Sequence, residues 1–107
     1  MEVTTFDKRE ESFEKKFAID EELKFKAEAR RNKLLGLWAA EKLGIAGDAA
    51  NAYAKDVIAA EFDGAGRVLH KVLTDLSAKG NAVTERDVSA KMVELLAVAV
   101  AQVKAGT

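Results

Sequence analysis

Cysteine and proline are absent from this chain, and aromatic residues make up only 7% of it. Without cysteine the chain can form neither a disulfide nor a thiolate metal site, which fits a reducing compartment. The lack of proline favours long helices over strands. The longest apolar run, Leu95 to Ala101, is far shorter than the roughly 20 residues of a membrane span. Nothing at the start resembles a signal peptide, so we expect a soluble cytoplasmic protein without membrane insertion.

Acidic and basic residues are present in nearly equal numbers. The formal net charge is −1, which gives the whole chain no electrostatic attraction to nucleic acid or to an anionic membrane. A nucleic-acid binder is therefore disfavoured. With 107 residues there is room for one domain that can bury a core without disulfides or metals.

The stretch from Glu21 to Leu43 predicts a central helix of roughly 35 Å. On a helix it is apolar on two opposite sides, whereas a surface helix needs only one apolar stripe. We therefore predict that this helix is packed from two sides. One stripe contains Leu23, Ala27, Leu34 and Trp38; the other contains Phe25, Ala29, Gly36, Ala39 and Leu43, where small residues would allow another backbone to approach.

The segment before it, residues 1–18, has a narrow aromatic stripe on a highly charged background. Thr4 and Asp7 form a capping-box pattern, so a helix is expected from Thr5 onward. At 100° per residue, Phe6, Phe13 and Phe17 fall within about 40° of one another. Two interpretations remain open: the three phenylalanines anchor in a partner's groove, or they pack on the bundle.

Three further helices are predicted. Gly44 should end the first in a left-handed conformation, with Ile45 folding back on Ala40. Asp48 is the expected cap of the second, and Gly80 the end of the third. Thr84 and Asp87 form a capping box for the fourth, with Val83 as a staple to Val88.

The predicted faces of these helices indicate an all-α four-helix bundle with a protruding N-terminal helical arm. They comprise Ala49, Tyr53, Val57 and Ala60, widened by Ile58 and Phe62, in the second helix; Val68, Leu69, Val72, Leu73 and Leu76 in the third; and Val88, Met92, Leu95, Leu96, Ala99 and Val103 in the fourth.

Residues suited to catalysis are scarce. The single histidine, His70, lies opposite the apolar face of its helix and is expected to be solvated. No metal-ligand spacing or phosphate-binding loop occurs, so we predict no enzyme, no metal and no cofactor. Arg30 and Arg31 near Trp38 are the one suggestive cluster, which could hold an anion or an adenine nucleotide. Alternatively, these arginines pack their stems and pair with acids of another helix.

Three segments resemble the zeta subunit of alphaproteobacterial F-type ATP synthases: TTFDKREESFEKKFA, DEELKFKAEARRNKLLGLWAAEKLG and MVELLAVAVAQV. The resemblance covers nearly the whole chain. It implies a four-helix bundle, residues 19–107, and an arm, residues 1–18, that inhibits ATP hydrolysis by the synthase.

In that family the arm is thought to enter an interface between catalytic and non-catalytic subunits of the head and to meet the rotor. This chain departs from the family pattern at two places. Residue 19 is Ile19, where relatives commonly have His, and the link between Phe62 and Lys71 is shorter and less acidic. The alternative function is a small-ligand sensor that uses Arg30, Arg31 and Trp38. The partner-binding residues that the resemblance implies are Thr4, Phe6, Lys8, Arg9, Glu10, Phe13, Glu14 and Phe17.

Overall fold

The computed structural model describes the backbone of residues 2–106 and the side chains of residues 21–106. It contains helices α1 (Glu2–Leu43), α2 (Gly47–Ala60), α3 (Arg67–Ala78) and α4 (Glu85–Lys104), with a short 3-10 turn, Glu61–Asp63, after α2. The predicted all-α bundle is confirmed, and residues 2–106 contain no strand. Because α1 begins at Glu2, it starts ahead of the predicted Thr4 cap. The predicted domain boundary after residue 18 falls inside α1 and stays a prediction.

The central helix is packed from two sides, as predicted. α2 and α4 lie along different sides of α1, and α3 contacts all three other helices. Within the described residues no Cα atoms of α2 and α4 lie within 8 Å of each other, although both helices contribute side chains to the same core. This arrangement makes α1 the element on which the other helices are assembled.

One member of the predicted stripes was misplaced, and two buried apolar residues were missed. Phe25 is 66% exposed, because α2 ends at Ala60, close to Asn32, and stops short of covering it. Leu35 and Ala40 are fully buried although they belong to neither predicted stripe. The buried surface of α1 therefore extends beyond the two predicted stripes.

A close backbone approach joins α1 to α2. A Cβ atom placed on Gly36 would lie 2.6 Å from the Cα of Ala54 and 3.3 Å from a methyl carbon of Val57. Real Cβ atoms essentially never come so close to a backbone atom, so only glycine fits here. The small-residue stripe predicted from the sequence is confirmed at this position.

The core contains contributions from all four helices. Its buried members are aliphatic, and half-buried side chains, including Trp38 and Tyr53, pack against it. The predicted faces of α3 and α4 are confirmed, since their residues are buried or half-buried. The buried cluster consists of Leu35, Ala39, Val57, Ala60, Val68, Val72, Leu76 and Val88.

The predicted face of α2 was partly wrong. Ala49 is exposed, whereas Ala50 and Ala54 are buried one position further along. Phe62 is 78% exposed, because the chain leaves α2 for the 3-10 turn before reaching it. Alanine occurs on several sides of α2, so the apolar pattern does not determine which side of the helix faces the core.

Local signals placed most helix ends correctly. Gly44 has φ 76°, and the N–H of Ile45 donates to the carbonyl of Ala40 at 3.0 Å, which is a Schellman end. Gly80 has φ 83° and ends α3 in the same way.

Of the predicted helix starts, that of α4 was correct and the cap of α2 was wrong. The capping box of α4 is confirmed, because Thr84 and Asp87 exchange two hydrogen bonds of 3.0 and 3.1 Å. Val83 packs on the cluster that contains Val88, as the predicted staple requires. Asp48 is not the cap of α2: the helix starts at Gly47 and its N-cap is Ala46, so Asp48 lies in the first turn. There its carboxylate still has a favourable position relative to the helix dipole.

Candidate functional surface

The arm residues implied by the family resemblance lie outside the described side chains. Their backbone belongs to α1. Their predicted role as partner contacts is therefore neither supported nor opposed by side-chain geometry. These residues are Thr4, Phe6, Lys8, Arg9, Glu10, Phe13, Glu14 and Phe17.

A buried amide connects α1 to the end of α2. Asn32 is fully buried, and its Nδ2 donates to Oε2 of Glu61 at 2.6 Å. Its Oδ1 accepts from Nε of Arg31 at 3.0 Å, and Nη2 of Arg31 lies 3.7 Å from Oε1 of Glu61. Every buried side-chain polar atom of the described residues has a partner. The Arg31 side chain is thus positioned by Asn32 and Glu61, in a network whose amide is buried while the Glu61 carboxylate remains partly exposed.

Arg30 engages a different helix. Its Nη1 donates to Oε1 of Gln102 on α4 at 2.9 Å, and the side chain is half-buried. Neighbouring residues of a helix point about 100° apart, so Arg30 and Arg31 reach α4 and the end of α2 respectively. Each arginine therefore connects α1 to another part of the bundle.

Trp38 is in contact with two lysines. The Nζ of Lys42 lies 5.3 Å from the centre of the indole ring, and that of Lys91, on α4, lies 5.6 Å from it. Both distances allow a cation–π interaction. Lys91 also pairs with Glu94 at 2.6 Å. The half-buried indole thus joins α1 to α4.

The three residues of the predicted anion site have separate partners in this structure. The acidic residue Glu61 engages Arg31, as the structural interpretation of the arginines expects, while Arg30 and Trp38 contact α4. Sequence reasoning missed Asn32, which sits between Arg31 and Glu61. The only available signal was the helical position of Asn32, which at 100° per residue lies within the small-residue stripe, whereas nothing in the sequence indicated Glu61 as its partner.

A second polar cluster fastens α2 to α3. The Tyr53 hydroxyl donates to Oδ2 of Asp75 at 2.8 Å, and Lys71 pairs with the same oxygen at 3.1 Å. Nζ of Lys71 lies 5.0 Å from the Tyr53 ring. Burial, and then the hydrogen bond to the Asp75 carboxylate, raise the pKa of Tyr53 well above its usual range. Tyr53 is therefore a neutral donor at physiological pH, consistent with a structural clip.

Other chemical features of the described residues are sparse. His70 is exposed, as predicted. Among the described residues no group of three or more His, Cys, Asp or Glu could hold a metal ion. No helix in that part of the chain is both long enough and apolar enough to cross a membrane. The described surface consists of helix faces and several open clefts.

The fold is that of a small all-α bundle, and comparison with known proteins identifies its family. A family model described as ATPase inhibitor subunit zeta matches residues 3–102. The chain therefore belongs to the ATPase inhibitor subunit zeta family, and the resemblance seen in the sequence is confirmed. Membership makes it a regulatory subunit of an ATPase.

A solved structure supports the same fold. A protein determined by solution NMR is 53% identical to this chain and superimposes on it with a TM-score of 0.69. The match covers 79% of this chain and 99% of that one. No curated protein matches this sequence.

Proposed function

We propose that this chain binds the catalytic head of F-type ATP synthase and inhibits ATP hydrolysis through its arm, residues 1–18. It acts in the cytoplasm, by occupying a site between catalytic and non-catalytic subunits next to the rotor, and performs no chemistry itself. The observation that carries the proposal is the family match, which begins at residue 3 and so includes the arm.

The composition of the arm suits this role. Its three phenylalanines share one side of a helix, and buried aromatic anchors often supply most of the binding energy of an interface. Residues 7–16 contain four acidic and four basic side chains, which provide polar contacts around the anchors. Phe6, Phe13 and Phe17 are the proposed anchors, with Thr4, Lys8, Arg9, Glu10 and Glu14 at the rim.

The bundle is expected to fold without the arm. Among the described residues the buried cluster lies between residues 35 and 88 and receives side chains from all four helices. We therefore expect the core to be stable without help from Phe6, Phe13 or Phe17, which leaves these side chains for a partner.

The proposal is tested by adding the chain back to synthase purified without it and measuring steady-state ATP hydrolysis. The wild-type chain should inhibit, and the double variant Phe13→Ala/Phe17→Ala should lose most of the inhibition. Phe62→Ala is the matched control, because Phe62 is an exposed aromatic outside α1. Lys15→Gln/Lys16→Gln should mainly change the salt dependence of association. A wild-type chain that does not inhibit, or anchor variants that inhibit fully, would refute the proposal.

Binding of an anion or adenine nucleotide at Arg30, Arg31 and Trp38 stays a prediction. Because these side chains have separate partners, a bound anion would have to compete with Gln102 and Glu61 for the guanidinium groups. Titration with ADP or ATP should shift backbone NMR signals around residues 30–38, and Arg30→Ala/Arg31→Ala should abolish the shifts. Unchanged signals at millimolar nucleotide would exclude the sensor function.

A further inference from the structure

A concave surface lined by apolar and basic residues lies on α1, on the C-terminal side of the arm. Phe25, Ile58 and Val103 give it an apolar floor from three different helices, in a cleft of about 540 Å³. A second cleft of about 410 Å³ shares Lys33 and Ile58 with the first and extends along α2 to Lys55. The two clefts adjoin at Lys33 and Ile58, and together we call them the groove.

The charged residues that line this groove are all basic: Lys26, Arg30, Lys33 and Lys55. We call these four residues the basic seam. Lys26 pairs with Glu22 at 3.2 Å and Arg30 donates to Gln102. Lys33 and Lys55 are exposed, and neither forms an ion pair with another described residue. The seam concentrates positive charge on a chain whose net charge is −1.

Phe25 is an aromatic residue in the groove whose exposure is not explained by packing in the core of the bundle. Phe25 is 66% exposed, and no described helix covers it. Phe25 lines the same cleft as Ile58 and Val103, so its exposed ring is part of a contiguous apolar surface, and such a surface is typical of a binding site.

We infer that the groove is a docking site for an acidic amphipathic helix of the ATPase head. The inference rests on the proposed function, since it assigns a second contact to the same partner complex. An apolar ridge of the partner helix packs on Phe25, Ile58 and Val103, as helices do in hydrophobic grooves. Its flanking carboxylates pair with Lys26, Lys33 and Lys55.

Other occupants fit the surface less well. The chain's own arm has equal numbers of acidic and basic residues between positions 7 and 16, so it offers no charge complementary to the seam. A flat anionic membrane would reach the lysines but would not enter a cleft between helices. A helix supplies both the ridge and the carboxylates.

The test measures the affinity of the full-length chain for synthase purified without it, at low and at physiological salt. Lys33→Glu/Lys55→Glu reverses the two seam charges that form no ion pair with another described residue. We expect the affinity to fall at least tenfold and its salt dependence to become shallower. Arg67→Glu/Arg86→Glu is the control, because it makes the same charge change at exposed first-turn positions of α3 and α4, where Glu is compatible with the helix dipole. The control should bind within twofold of wild type.

The apolar part of the groove is tested separately. Phe25→Ala should weaken binding severalfold, whereas Phe62→Ala should not. A photo-crosslinking amino acid at position 25 should attach to an acidic helical segment of a head subunit. Attachment to a second copy of this chain or to a basic segment would refute the inference, as would binding to anionic vesicles that depends on Lys33 and Lys55.

The outcomes separate the two proposals. If the wild-type chain neither binds nor inhibits the synthase, the proposed function fails. If it binds and inhibits while the seam and Phe25 variants behave as wild type, only the docking groove fails. Circular dichroism of each variant checks that the bundle remains folded.

Discussion

The two packed sides of α1 are built differently. Toward α2, contact depends on small residues, because Gly36 allows the backbone of Ala54 to approach. Toward α4, contact depends on large side chains, with the Trp38 indole lying against Lys91 and Arg30 reaching Gln102. A small-residue contact fixes the distance between two helices, whereas large side chains fill space and can adjust. The α2 side should therefore tolerate added volume poorly, and the α4 side should tolerate trimming better.

The largest effect is expected for Gly36→Leu. A Cβ alone would clash with the Cα of Ala54, so α1 and α2 must separate. We predict a loss of about 3 kcal/mol or more in the free energy of unfolding, and a melting temperature lower by roughly 10 °C or more. The control is Ala59→Leu, which adds the same side chain at an exposed position of α2. Equal melting of the two variants would show that the close approach is unimportant.

Trp38→Ala should cost less. The indole is half-buried and contacts two lysines, so we predict a loss of about 2–3 kcal/mol, below the 3–5 kcal/mol typical of a fully buried aromatic. Urea unfolding followed by circular dichroism measures this loss, with Phe62→Ala as the control for removal of an exposed aromatic. A loss as large as that of Gly36→Leu would remove the distinction between the two sides.

The features of the fold that could be predicted were those that depend on residues close together in the sequence. The ends at Gly44 and Gly80 and the box of Thr84 with Asp87 follow from residues a few positions apart, and all three were predicted correctly. The strong aliphatic periodicity of α3 and α4 also identified their buried faces. The face of α2 was partly wrong because alanine carries too little apolar area to distinguish Ala49 from Ala50.

The polar network could not be predicted for a different reason. Asn32 finds its partner Glu61 29 positions away, and only the packing of α1 against the end of α2 brings the two together. Arg30 and Gln102 are 72 positions apart. Side-chain pairing of this kind is a consequence of the fold and leaves no periodic trace in the sequence.

Asn32→Ala tests the polar part of the α2 side. Removing the amide leaves the Glu61 carboxylate and the Arg31 Nε without their partner, although Glu61 can still reach water. We predict a loss of about 1–2 kcal/mol. A double-mutant cycle with Glu61→Ala should give a favourable coupling of about 1 kcal/mol. Strict additivity of the two changes would mean that the hydrogen bond between Asn32 and Glu61 adds nothing to stability.

The smallest effect is expected for Tyr53→Phe, which removes the hydrogen bond between α2 and Asp75 of α3. We predict a loss of about 1 kcal/mol at neutral pH. The folded protein raises the pKa of Tyr53, so this contribution is complete below the unfolded-state pKa of about 10 and is lost as pH rises above it. The difference in stability between wild type and Tyr53→Phe should therefore shrink between pH 9 and 11. A constant difference across that interval would contradict this explanation.

We propose that the bundle folds by itself and that the arm inhibits. Deletion of residues 1–17 tests both parts at once, by thermal melting of the truncated chain and by steady-state ATP hydrolysis of synthase to which it is added back. We expect that residues 18–107 remain helical, melt within a few degrees of the full chain and no longer inhibit. A truncated chain that inhibits as strongly as the full one would assign the inhibition to the bundle and contradict the proposed role of the arm.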